Sequence, residues 1–216
     1  SSAASDVYKR QSINPQTVND EVLKTIGRKH TAQQFFDAFE LARKCGFDNI
    51  NTDLIAGLPT DTPESFKNSL DSIVRLNAEC ITVHTLCMKR ASRLTTEGVT
   101  LDLQQARDAR EMLAYTQNIL GQNEYIPYYM YRQSRMVGNL ENVGWSKRGF
   151  ESLYNVYVMD ETHTILACGS GGVTKLKRNN PDYLERIFNF KYPYEYIDRF
   201  DELIQRKSGI MQFYGQ

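Results

Sequence analysis

One stretch limits what this chain can fold into. NINTDLIAGLP at positions 49–59 is a short apolar run that carries one carboxylate, Asp53, near its end and is closed by Gly57-Leu58-Pro59. Thr62-Pro63-Glu64 then opens a helix. Pro63 suits the first helical position because its missing N–H has no partner there anyway, and Thr62 is the natural N-cap before it. The helix, 63–76, sets Phe66, Leu70, Ile73 and Val74 on one side. A second apolar run, CITVHTL at 80–86, follows. Strand, helix, strand in this order is the signature of a parallel sheet with crossover helices. Alternation gives the first strand one face of Ile50, Thr52 and Leu54 and another of Asn51, Asp53 and Ile55.

The same logic extends in both directions. A helix is expected over 16–26, with Val18, Val22, Leu23 and Ile26 in helical spacing and Gly27 ending it. Thr31 with Gln34 forms a capping box for the next helix, which Gly46 terminates. Residues 101–120 read as a long amphipathic helix ended by Gly121. Tyr125 to Tyr131 is an aromatic strand, and Pro127 confines it to an edge or final position. Residues 136–149 are Gly- and Asn-rich and read as loop, while 153–159 and 164–168 read as two short strands forming a hairpin. Residues 181–205 read as helix broken at Pro193. Two parallel strands cannot protect their own edges, so the expected fold is α/β: the C-terminal half of a partial TIM-like βα barrel over 12–135, followed by a smaller α+β region over 136–216. Residues 1–11 (SSAASDVYKRQ) show no pattern and are expected to be a non-native or disordered junction, with the native chain starting upstream.

Composition excludes several functions. Twenty-six basic residues balance twenty-six acidic ones, so there is no electrostatic footprint for nucleic acid or an anionic membrane. No apolar run is long enough to span a bilayer, and no signal peptide is visible. Cys45, Cys80, Cys87 and Cys168 have neither zinc nor iron–sulfur spacing and do not make a disulfide scaffold. They read as reduced thiols in a cytoplasmic protein.

From pattern alone, Asp53 reads first as a capping or loop-bracing acid and second as a site residue. Enzymes built on parallel βα barrels place their sites at the strand ends that lead into helices, where Asp53 lies. Gly169-Ser170-Gly171-Gly172 is not a phosphate-loop motif and reads first as close backbone approach. His84 reads as a core histidine within an apolar strand, and His30 and His163 as loop residues without pattern. Arg28-Lys29, Lys89-Arg90 and Arg93 are either a solvated rim or a carboxylate-binding cluster. Tyr125, Tyr128, Tyr129 and Tyr131 either pack an edge or line a pocket for a flat ligand.

INPQT at 13–17, IGRKH at 26–30, NINTDLIAGLP at 49–59, ITVHTLCMKRASRL at 81–94, GNLENVGW at 138–145 and ACGSGGVTKL at 167–176 resemble the oxygen-independent coproporphyrinogen III oxidases, radical S-adenosylmethionine (SAM) enzymes, and within them the HemZ-type dehydrogenase branch. The resemblance covers the chain from about Ser12 onward. It implies that Gln16, Arg28, Asp53, Cys87 and Val173 contact SAM: Arg28 through the SAM carboxylate, and Cys87 and Val173 mainly through their backbone. The family has alanine where Cys87 stands, which keeps a small side chain.

The implied cofactors are SAM and a [4Fe–4S] cluster, and the implied partners are a tetrapyrrole substrate and an unidentified electron donor. The cluster motif CxxxCxxC is missing from these residues, so its ligands are expected in an upstream segment, and this polypeptide alone is expected to be inactive. No catalytic or metal-ligating residue is assigned within it. The implied reaction is oxidative decarboxylation of two propionates of coproporphyrinogen III to vinyl groups, giving protoporphyrinogen IX in haem biosynthesis. Lys89, Arg90 and Arg132 are candidate substrate contacts by charge. A haem-binding or haem-delivery relative without oxidase activity is the alternative, and a free-standing α/β interaction module is a third reading.

Overall fold

The computed structural model describes residues 10–87, 103–133, 136–178 and 183–215. Lys89, Arg90, Arg93 and Pro181 lie outside them. The chain forms two compact units, residues 1–153 and 154–216.

The first unit is built on a five-stranded sheet. Its strands are β1 (Arg10–Ser12), β2 (Asn49–Ala56), β3 (Cys80–Thr85), β4 (Ile126–Tyr131) and β5 (Asn142–Ser146), in the order β1-β2-β3-β5-β4. Strands β1, β2 and β3 are parallel, and β5 is antiparallel to both β3 and β4. Strand β4 therefore runs in the same direction as β3, with β5 inserted between them. Pro127 sits on an edge strand, as its missing N–H requires, and the register shifts beside it.

Helices α1 (Asp20–Thr25), α2 (Ala32–Lys44), α3 (Pro63–Arg75) and α4 (Leu103–Gln122) connect the strands. The caps do what the sequence implies. Thr31 and Gln34 form a reciprocal capping box, and the Thr62 hydroxyl accepts from the Ser65 N–H at 3.1 Å with Pro63 in the first turn. Phe35 and Phe39 of α2, Phe66, Leu70 and Ile73 of α3 and Met112 and Leu120 of α4 pack with Ile50, Leu54, Ile81 and Val83 in one apolar core. Each such side chain, fully buried, stabilises the fold by about 1.5–3 kcal/mol before entropy is counted.

Several expectations are corrected. Arg10 and Gln11, the end of the segment expected to be non-native or disordered, form with Ser12 a strand in register with Asn49–Asn51, a pairing that three residues with no alternation do not advertise. Helix α1 starts at Asp20 rather than at Gln16, because the Asn19 side chain caps it by accepting from the N–H groups of Glu21 and Val22. The stretch 136–149 contains a 3₁₀ turn (Val137–Asn139) and strand β5, whose Gly144 and Asn142 disguise it as loop.

The second unit pairs β6 (Val173–Lys177) with β7 (Leu184–Phe188) in an antiparallel ribbon and carries helices α6 (Pro193–Asp198), α7 (Phe200–Lys207) and α8 (Gly209–Tyr214). The expected hairpin of 153–159 with 164–168 is absent from the described residues. Leu153–Asp160 is a helix, α5, whose Val158 carbonyl accepts from the Lys175 ammonium at 3.2 Å, and Ile165 makes only an isolated bridge to Lys175. The expected helix over 181–205 is strand β7 followed by α6, and Pro193 starts α6 rather than breaking a helix. The glycine turn packs on its own neighbours: Asn189 Nδ2 donates to the Gly169 carbonyl at 2.7 Å. A Cβ on Gly172 would stand 3.1 Å from both that nitrogen and the Cys168 carbonyl, so the glycine serves close approach.

Glu161 ties α5 to the ribbon. Its carboxylate lies 2.6 Å from Lys175 Nζ and 3.0 Å from Arg186 Nη2. The hydrogen bond from Lys175, then its charge and that of Arg186, hold the carboxyl below its ordinary value of 4.5 against an opposing cost of partial burial. A depressed folded value contributes stability that is present above the ordinary value and is lost as pH falls through the folded one. Urea unfolding of wild type and Glu161→Gln is therefore expected to show a wild-type advantage at neutral pH that shrinks below about pH 4.5. A difference that stays constant down to about pH 3 contradicts this role.

Candidate functional site

The two faces of the sheet differ in kind. One face, with Ile50, Leu54, Ile81, Val83 and Trp145, meets the helices. The other carries Asn51 and Asp53 from β2, Thr82 and His84 from β3, Gly144 from β5 and Tyr129 and Tyr131 from β4. The register sets Asp53 opposite Thr82, Thr82 opposite Gly144, and Gly144 opposite Tyr129. Toward the end of β2, Ile55 on this face packs against a small apolar cluster that includes Val22 of α1 and Ala109 of α4.

Side chains on this face form two arms that meet at Asp53. In the first, the Tyr129 hydroxyl lies 3.2 Å from Thr82 Oγ1, which donates to Asn51 Oδ1 at 3.2 Å, and Asn51 Nδ2 donates to Asp53 Oδ1 at 2.7 Å. Thr82 has one proton and gives it to Asn51, so Tyr129 must be the donor to Thr82. In the second, His84 Nε2 lies 3.6 Å from Asp53 Oδ2, and His84 Nδ1 lies 3.4 Å from the Tyr131 hydroxyl. The Tyr129 and Tyr131 rings stack nearly parallel, 6.3 Å between centroids. Burial pushes both phenols above their ordinary value, so both stay protonated donors.

Gly144 makes the first arm possible. A Cβ there would lie 1.8 Å from Tyr129 Cε1, so the ring crosses strand β5 over the space a side chain would take.

The residues picked out in the sequence are placed as follows. Gln16 bridges to Leu54: its N–H donates to the Asp53 carbonyl at 3.0 Å, and its carbonyl accepts from the Ile55 N–H at 2.9 Å. It is buried, with φ +69, a left-handed conformation that costs a non-glycine residue about 1–3 kcal/mol and tends to mark functional positions. Cys87 follows β3 and bridges to Met136, while Leu86 donates its N–H to the Ala56 carbonyl. Gln16, Asp53 and Cys87 therefore stand at the C-terminal ends of neighbouring parallel strands. Arg28 is exposed in the turn after α1, and that turn is anchored at the same end by His30 Nε2, 3.3 Å from the Pro15 carbonyl. Val173 lies in the second unit, where it opens β6. Arg132 is engaged by Glu141 at 2.5 Å.

Sequence reasoning missed the part played by His84. Alternation puts it on the face of Thr82 and Asp53, but only the register shows that it sits diagonally from the carboxylate. Among the described residues no three His, Cys, Asp or Glu side chains gather as a metal site. Among the described residues nothing fits an iron–sulfur cluster.

A family model for the radical SAM superfamily matches residues 4–73. The oxygen-independent coproporphyrinogen-III oxidase-like protein HemZ of Bacillus subtilis (strain 168) is 38% identical over 203 residues, which is 94% of this chain and 40% of that protein. These similarities support an oxygen-independent coproporphyrinogen oxidase-like radical SAM family for this chain. The heme chaperone HemW of Lactococcus lactis, from the same broad group, is 32% identical over 82% of this chain and 45% of its own length. The solved coproporphyrinogen III oxidase HemN of Escherichia coli shares the fold with a TM-score of 0.62 at 21% identity, over 90% of this chain and 43% of that one. The chain thus spans less than half the length of these relatives. The superfamily match reaches to residue 4, so it includes most of the stretch expected to be non-native. No helix among the described residues is long and apolar enough to cross a membrane.

The Gly144 argument has a direct test. Gly144→Ala is expected to destabilise the protein by about 1–3 kcal/mol, as overpacking does. Most of that loss should vanish in a Tyr129→Ala background, because the ring is the atom group the new Cβ meets. Equal losses in both backgrounds, by chemical unfolding, contradict the close approach.

Proposed function

We propose that this chain is the part of a radical SAM enzyme that holds the ribose and methionyl groups of SAM. We propose further that the whole protein oxidatively decarboxylates two propionates of coproporphyrinogen III to vinyl groups. The observation that carries the reading is the 38% identity to HemZ along 94% of the chain. In the chemistry that the resemblance implies, bound SAM is the source of the radical that removes a propionate hydrogen.

The donor set suits such a ligand. Asp53 has two oxygens with about four lone-pair sites. Asn51 donates to one of these, which leaves acceptors for ribose hydroxyls or the ammonium. The Gln16 carboxamide has no hydrogen-bond partner among the described residues, although the residue is buried beside Asp53. Arg28, exposed at the same end, can pair with the SAM carboxylate through two parallel bonds, which a lysine cannot do. Cys87 would contribute main-chain groups. Arg132 sits at the end of β4 and shares its charge with Glu141, so it is a rim contact for a substrate carboxylate rather than a buried one.

The HemW match supports a second reading, a haem-handling protein. A full-length protein that carries the CxxxCxxC segment separates the two. On the oxidase reading it consumes two SAM per coproporphyrinogen III anaerobically. Asp53→Asn then weakens SAM binding about ten- to a hundredfold, the equivalent of about 1.5–3 kcal/mol for a charge-assisted bond, and leaves the cluster absorbance unchanged. Tight haem binding with no vinyl product transfers the assignment to the second reading. Equal SAM affinity in wild type and Asp53→Asn removes Asp53 from the site.

A further inference from the structure

His84 is too wet and too well placed to be core filler. Its side chain is 26% exposed and that of Asp53 19%. The register sets His84 opposite Ile55, two residues beyond Asp53 on the same face of β2, which makes the pair diagonal neighbours across a parallel ladder. Long side chains reach across such diagonals. An imidazole with its proton on Nε2 has one donor and one acceptor nitrogen, an arrangement that fits both contacts. Tyr131, its phenol kept protonated by burial, donates toward Nδ1, and Nε2–H faces Asp53 Oδ2. The order is directional from the edge strand to the carboxylate: Tyr131 O–H to His84, His84 N–H to Asp53. The 3.6 Å separation at the last link is loose, as contacts in ligand-free sites often are before a ligand tightens them.

The other oxygen is held by the Tyr129, Thr82 and Asn51 arm. A lone aspartate on a strand has several rotamers. One hydrogen-bonded at Oδ1 and faced by an imidazole 3.6 Å from Oδ2 has fewer, and a ligand that meets it has less to order. Both arms originate on β4, so the edge strand sets the aim of a carboxylate three strands away, across β5 and β3.

We propose that His84 is a positioning residue for Asp53, holding the carboxylate in the orientation that receives the polar groups of SAM, with Tyr131 fixing the imidazole. This inference rests on the SAM reading of Asp53 given above.

The test measures SAM dissociation constants by calorimetry on the full-length protein. His84→Phe keeps the ring and removes the donor. It is expected to weaken SAM binding about tenfold, the cost of losing roughly one hydrogen bond's worth of positioning. His84→Gln, whose carboxamide can donate to Asp53 and accept from Tyr131, is expected to stay within about threefold of wild type. A merely structural histidine predicts no such rescue. Tyr131→Phe should produce a smaller loss than His84→Phe, because it only frees the imidazole. His84→Phe combined with Asp53→Asn should bind no worse than Asp53→Asn alone, since one residue acts through the other.

The inference is overturned if wild type and His84→Phe bind SAM equally while Asp53→Asn binds weakly, or if the double variant loses the product of both effects. If His84→Phe does not fold, the comparison of His84→Gln, Tyr131→Phe and Asp53→Asn decides: Tyr131→Phe equal to wild type, with His84→Gln as weak as Asp53→Asn, overturns it. A wild-type protein that binds no SAM fails the parent reading, and this inference with it.

Discussion

Asp53 and Leu54 are neighbours on one strand and face opposite ways, and most of the first unit follows from that. Leu54, with Ile50 on the same face, is fully buried under α2, α3 and α4. A one-residue slip of β2 against β3 would turn those apolar side chains to the polar face and the carboxylate into the core. Burying an unpaired carboxylate costs several kcal/mol, so the core enforces the register. The register in turn places Asp53 beside Thr82 and within reach of His84. The geometry of the candidate site is thus a by-product of hydrophobic packing on the far side of the sheet.

How much of this was legible depended on whether the signal was local. The caps at Thr31 and Thr62, strands β2 and β3, helix α4 and the edge position of Pro127 follow from periodicity and turn chemistry within a few residues. Strand β5 did not, because Gly144 and Asn142 are there for reasons that lie on other strands: Gly144 makes room for the Tyr129 ring, and Asn142 Oδ1 accepts from the Thr85 N–H at 2.8 Å. Helix α5 was misread because Tyr157, Val156 and Val158 favour strands on average, while a lysine from β6 holds the Val158 carbonyl. Asp53 itself was visible as a strand-end acid. Its grip by His84 was not, since a diagonal contact needs the register, and a sequence gives alternation without register.

The placement of the strand ends is what joins fold to function. Gln16 holds a left-handed backbone conformation at the point where it bridges to β2, and the cost of that conformation is carried by two hydrogen bonds to the Asp53 carbonyl and the Ile55 N–H. Strain of this kind persists only where neighbouring structure overrides it. The same end of the sheet collects Asp53, Cys87 and the turn bearing Arg28, so an exposed guanidinium and a carboxylate stand at one rim. A zwitterionic nucleoside such as SAM needs both.

The central claim is that the ligand sits on the polar face at the C-terminal ends of β1, β2 and β3. Hydrogen exchange of the full-length protein with and without SAM tests it most directly. The account predicts added protection in segments 13–19, 51–58 and 82–87, and little change at the opposite strand ends, around 47–50 and 77–80. Protection confined to those opposite ends, or none in either set at saturating SAM, would contradict it.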